Sequence, residues 1–295
     1  MKTTHLSLFL ALLAIPTAGF AAGFAHNENF MVLAPDQQIA DAVLARADHF
    51  RAEVARQWLG KELPPSVGAA IINVEISESQ ERGFTWAIDS PGRKYHKVWL
   101  TATRQRLLGS TLRHEICHVV LSTRFPGALP PWAEEGAASQ SDDQARINTR
   151  QGIIDWYAQT GNWPNLEPIF EAEIIPADDQ ATYSVAASVT RYLLSRGEKS
   201  SFLAFAEAGK RHGWDKALAT HYGIRSVGHL QSAWRTWAGS ASRQAAQTKS
   251  PIFVAGTRRV PSAGYGTAGV PSAGYGTGRV PSAAHGTRRV PATLQ

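Results

Sequence analysis

The sequence predicts an α+β domain, with a small mixed sheet in its first hundred residues and an almost wholly helical second half. Three observations carry this expectation. Strict alternation in "AAIINVEIS" sets Ile72, Val74 and Ile76 on one side, as in a half-buried strand. A helical repeat of apolar residues runs from Ile39 to Leu59. From Pro131 onward, helical patterns follow one another with no strand candidate between them.

Taken in order, the elements begin after residue 25. "NFMVLA" is a short strand. The next segment, "PDQQIADAVLARADHFRAEVARQWLG", has Asp36 near its cap and Gly60 as its stop. Ile39, Val43, Ala47, Phe50, Val54 and Leu59 mark its inner face. "FTWAI" and "KVWLTA" are two further strands. A long helix is expected from about Arg104 to Ser122. Helices then follow in "WAEEGAASQ", "SDDQARINTRQGIIDWYAQT", "ATYSVAASVTRYLLSRG", "KSSFLAFAEAGKRH" and "VGHLQSAWRTWAG". A front half with a sheet and a helical back half leave a cleft between them. Trp99, Trp156, Trp214, Trp234 and Trp237 are expected in the core rather than on a recognition surface.

The chain ends differ from this body. "MKTTHLSLFLALLAIPTAGFAAGFA" has Lys2, an apolar stretch from Leu6 to Ile15, and small residues from Ala18 to Ala25. That is the pattern of a cleaved leader over residues 1–25, and the alternative is an N-terminal anchor helix. The leader reading implies a secreted or periplasmic protein with no stable membrane insertion once the leader is removed. Cys117 is the only cysteine, so no internal disulfide can form. At the other end, "GTRRVPSAGY", "GTAGVPSAGY", "GTGRVPSAAH" and "GTRRVPATLQ" repeat with a period of ten. Such units cannot bury a core, and a disordered tail is expected over 241–295. The domain between the two ends is thus 26–240. The tail from Gly256 holds five arginines and no acid; without them the chain has 25 basic against 24 acidic residues. A body so near neutral excludes a charge-driven nucleic-acid binder.

Chemistry concentrates in "HEICH" at 114–118. On a helix, residues four apart differ by about 40° in azimuth, so His114 and His118 point the same way and can share one Zn²⁺. Glu115 is turned about 100° from His114 and can reach a water beside the metal as general base. Leu108, Leu112, Ile116 and Val120 occupy the opposite side and can pack into a core. Cys117 lies towards that core side, as a buried thiol or, on a distorted helix, as a ligand. Sixteen residues beyond His118 stands Glu135, in "LPPWAEEGAA". Pro130 and Pro131 can start its helix, and Gly136 permits close approach to a neighbouring one. Two histidines and one carboxylate leave an open position, as in a catalytic site rather than a structural one.

"HEICHVVL" followed by "PPWAEEGAA" resembles the gluzincin metallopeptidases, whose second motif reads W-x-x-E-G. Trp132, Glu135 and Gly136 fit that motif, so the resemblance makes Glu135 the ligand and not Glu134. It extends more loosely from about Asn29 to Trp237. It implies a zincin-like fold, a zinc cofactor, and hydrolysis of peptide or protein substrates. The G-x-M-E-N element of the family's aminopeptidases is absent. Where thermolysin-like members carry an acid four residues after the glutamate ligand, this chain has Ser139, with Asp142 and Asp143 as alternatives. The resemblance also suggests a transition-state stabiliser, for which Tyr183 is the candidate, with packing as its other reading. Tyr192 and His221 are weaker candidates. His26, His49, His96, His212 and His229 carry no ligand spacing. The strand "KVWLTA" is expected to receive substrate backbone as an added strand. A non-catalytic module binding a cell-envelope partner, and a hydrolase of non-peptide amides, are the competing functions.

Overall fold

The long first helix shows how local sequence sets the architecture. In a computed structural model of the chain, helix α1 spans Gln37–Leu59. The Asp36 side chain caps it by accepting from the Ile39 N–H at 2.8 Å. Gly60 ends it in the left-handed conformation, φ 74°, with its N–H bonded to the Arg56 carbonyl. The structure describes residues 23–90 and 93–249, all within one compact unit. Most of the leader and all of the decapeptide repeats lie outside the described residues.

Five strands form one sheet: β1 (Gly23–His26), β2 (Phe30–Ala34), β3 (Ala70–Ile76), β4 (Arg82–Ser90) and β5 (Arg93–Ala102). Their spatial order is β1-β2-β3-β5-β4. The central pairs β2–β3 and β3–β5 are parallel, and the outer strands β1 and β4 run antiparallel to their neighbours. Phe30, Val32, Ile72, Val98 and Leu100 are buried on one face, where α1 packs. β1 begins at Gly23, inside the segment read as leader. A methyl group at Gly23 would collide with the Asp36 backbone, which places this strand hard against the start of α1.

After β5 the chain turns helical: α2 (Arg104–Leu107), α3 (Ser110–Arg124), α4 (Pro131–Ala138), a 3₁₀ turn at Ser139–Ser141, α5 (Gln144–Thr160), α6 (Leu166–Glu171), α7 (Gln180–Leu194), α8 (Lys199–His212), α9 (Trp214–Tyr222) and α10 (Val227–Lys249). The single helix expected from Arg104 is therefore two. Gly109, at φ −132° and ψ −121°, breaks it and starts α3. Helix α10 continues past Ala241 to Lys249, so helix occupies the first residues assigned to the tail.

Trp132 and Trp234 are fully buried, and Trp132 stacks on Phe170 with centroids 4.1 Å apart. Two tryptophans depart from the expected core placement: Trp99 is 41% exposed and Trp156 51%. Trp99 stands on the sheet face opposite the buried one, where Met31, Leu33, Phe84 and Trp86 are also exposed. No helix of the described residues is long and apolar enough to cross a membrane.

Candidate metal centre

Helix α3 carries the HEICH segment across the inner side of the sheet. Leu112, Ile116 and Val120 are completely buried beneath it, while Leu108 is partly buried. Their burial fixes the helix's rotation and turns His114 and His118 to the opposite side. Cys117 is buried as well; burial of the thiol raises its pKa, which leaves it a packing group rather than a thiolate ligand.

Helix α4 supplies the third group. Pro131 occupies its first turn and Trp132 anchors it in the core. Gly136 sets its distance from α7. A methyl there would collide with the Thr190 hydroxyl and come within 2.8 Å of the Ala186 carbonyl oxygen. The close approach brings Glu135 to both histidines. Glu135 Oε2 lies 3.5 Å from His114 Nε2, and Oε1 lies 3.6 Å from His118 Nε2. One donor atom from each of the three residues falls within 4.8 Å of the others. Donors about 2.0–2.1 Å from a tetrahedral zinc ion stand roughly 3.3–3.4 Å apart; the two His–Glu separations come near that, and imidazole and carboxylate are donors that Zn²⁺ takes.

The same proximity shifts the titrations. Burial alone would lower the His118 pKa, but the Glu135 carboxylate outweighs it and raises the value to about 10. For His114, burial is likewise outweighed, by Asp142 and Glu135, and the pKa rises. Glu135 is held well below the usual carboxylate range, since the two histidines overcome its desolvation.

Behind His114 stands Asp142. Its Oδ1 is 3.4 Å from His114 Nδ1, at ion-pair distance though without hydrogen-bond alignment. Its Oδ2 is 2.7 Å from Arg150 Nη1. Ser139 does something else: its hydroxyl donates to the Glu135 carbonyl at 2.6 Å and meets Arg150. Asp143 caps α5 through the Arg146 N–H at 2.9 Å. Of the three alternatives in the sequence, Asp142 is the carboxylate that faces the imidazole.

Glu115 faces the sheet's edge. Thr85 Oγ1 donates to Glu115 Oε2 at 2.7 Å, and a side chain at Gly83 would collide with the Glu115 carboxylate. Glycine there lets β4 lie directly against this glutamate. The strand "KVWLTA", expected from the sequence to receive substrate backbone, belongs to β5 and does not stand here. β5 is paired on both sides, by β3 and β4, and has no edge to offer; β4 is the outer strand.

The two histidines, Glu115 and Glu135 open into one cleft of about 870 Å³, lined also by the stretch Glu81–Thr85 and the α6–α7 loop from Glu173 to Ala177. Tyr183 lines it too. Burial first, then the charge of Glu135, pushes its phenol up to about 12, so it remains a protonated donor. Neither Tyr192, buried against Trp237, nor His221 lines the cleft. A charge network that single motifs did not indicate flanks it: Glu81 meets Arg106 and Arg146, and accepts from Thr111 Oγ1 at 2.6 Å.

No protein-family model, curated protein or solved structure matches this chain.

Proposed function

We propose that the chain is a zinc-dependent peptidase of gluzincin type, acting outside the cytoplasm. The observation that carries this reading is the meeting of two kinds of group in one cleft. His114, His118 and Glu135 offer a three-donor set, and Glu115 stands beside it, bonded by Thr85 and uninvolved in holding the donors. A structural zinc site has four protein ligands and needs no such glutamate.

Held by the three donors, Zn²⁺ would supply a Lewis acid and lower the pKa of water. Glu115 takes the proton of the attacking water and passes it to the leaving amine. Tyr183, protonated in the cleft, donates a hydrogen bond to the carbonyl oxygen as negative charge develops. Asp142 keeps the Nδ1 side of His114 occupied, which leaves Nε2 for the metal. Substrate backbone pairs with the open edge of β4, where Gly83 and Thr85 bring it next to Glu115. The intact Glu115 weighs against a non-catalytic binding module, which would have no use for it.

The test separates two glutamates. Glu115→Gln retains about one zinc per chain and loses nearly all cleavage of a peptide library, while Glu135→Ala loses the zinc itself. Wild-type protein without zinc, or a chelator-insensitive digest, rejects the reading.

A further inference from the structure

Strand β4 meets the cleft with its edge. Five consecutive residues, Glu81 to Thr85, line the opening. Successive side chains of a strand point to opposite faces, so an unbroken run of this kind means that the backbone itself faces the cavity. Among the described residues, β4 pairs with β5 alone. Its other side presents N–H and C=O groups that no strand takes up.

The side chains of β4 divide between two environments. Gly83 and Thr85 turn towards α3 and Glu115. Phe84 and Trp86 turn to the opposite face, at 53% and 61% exposed. Their rings meet edge to face at 6.1 Å, and Phe84 lies 5.8 Å from Trp99, its register partner on β5. Three large aromatics left exposed, with Phe84 in ring contact with both tryptophans, form the kind of apolar patch that marks a binding surface. Phe84 carries that patch to the lip of the cleft.

We propose that Phe84 and Trp86, backed by Trp99, form a recognition subsite that selects aromatic or large apolar residues at alternate positions of an extended peptide bound along β4. The proposal rests on the peptidase reading and names the specificity of that same site. A peptide added to β4 obeys the strand's own alternation. The side chains that turn to α3 meet Glu115 and the metal donors. Those between them turn to the aromatic face, where direct cross-strand neighbours have Cβ atoms about 4.5–5.5 Å apart. A ring or long aliphatic chain there covers Phe84 and Trp86; a small polar one leaves them wet. The occupant is a single extended chain because the free edge opens into the cleft, between α3 and the Glu173–Ala177 loop.

The test is binding to Glu115→Gln protein by two eight-residue peptides, one with phenylalanine and one with serine at every second position. The phenylalanine peptide is expected to bind about tenfold more tightly. In Phe84→Ala/Trp86→Ala the preference falls below about twofold at unchanged melting temperature, and in Trp86→Phe it is retained. Equal affinity for both peptides overturns the proposal, as does a preference that survives the double substitution. So does a stable dimer that Trp86→Asp dissolves, since it would seat a second copy on the strand. Failure of the peptidase reading is scored separately, by zinc content and chelator-sensitive cleavage in the wild type, because the peptide comparison reads binding alone.

Discussion

Asp142, in the short turn that joins α4 to α5, faces His114 on α3, with Oδ1 3.4 Å from Nδ1. Asp142 is almost completely buried and is held from behind by Arg150. A carboxylate in this position orients an imidazole and raises its basicity as a ligand. Asp142→Asn is therefore expected to weaken zinc affinity roughly 10–100-fold with the helical content unchanged, measured by competition with a chelator. Asp143→Asn, at the cap of α5, is the contrast: asparagine caps as well as aspartate, and zinc affinity should hold.

Thr85 fixes the carboxylate of Glu115. Thr85→Val removes a hydrogen bond to a charged group, which contributes about 1.5–3 kcal/mol. The expected result is a fall in kcat of roughly ten- to a hundredfold with zinc content intact, and recovery in Thr85→Ser. A valine variant with full kcat would mean that Glu115 needs no such support.

Gly136 governs how near α4 comes to α7. Gly136→Ala places a methyl group against Thr190 and the Ala186 carbonyl. Overpacking of this kind costs about 1–3 kcal/mol. The melting temperature should fall, and zinc affinity with it, since α4 carries Glu135. Adding Thr190→Ala should recover part of both, because it removes only one of the two obstacles.

The metal-free protein should respond to pH in a defined direction. His118 has its pKa raised from 6.5 to about 10. Its contribution to stability is complete below pH 6.5 and is lost as pH rises through 10. Glu135, shifted below its ordinary 4.5, contributes above that value and loses its contribution as pH falls. Between about pH 6.5 and 10 the melting temperature of chelator-treated protein should thus decline by several degrees. Zinc requires neutral imidazoles, so the stabilisation it adds should grow over the same range. Thermal scans with and without zinc check both slopes, and a flat chelated profile contradicts the first.

Much of this architecture was legible in the sequence because local rules sufficed. Asp36 and Gly60 announce the ends of α1. The four-residue spacing of His114 and His118, together with the apolar stripe behind them, sets which way both point. Other features depend on three-dimensional context. The order of strands is a tertiary outcome, so the edge fell to β4 while the sequence pointed to β5. Gly109 divides a continuous helical pattern by its backbone angles alone. At six and nine residues, α6 and α9 are too short for a periodic signal. β1 is built of small and apolar residues that also suit the end of a leader. Trp99 and Trp156 have core-like chemistry on exposed ground. Ser139, Asp142 and Asp143 lie within five residues of each other, and only the 3₁₀ turn at Ser139–Ser141 decides which one looks at His114.

An open edge strand is ordinarily a hazard, since its unpaired backbone recruits the edge of any sheet it meets. In β4 the stretch Arg82–Thr85 gives onto a cleft with the Glu173–Ala177 loop on its lining. A neighbouring molecule would have to thread one strand, stripped of its own partners, into that space. Folded proteins cannot do so without first giving up a strand, whereas an unstructured segment can. On the peptidase reading we propose, the recess works as a sieve on conformation: it admits chains, or stretches of chain, that have not folded or have come undone.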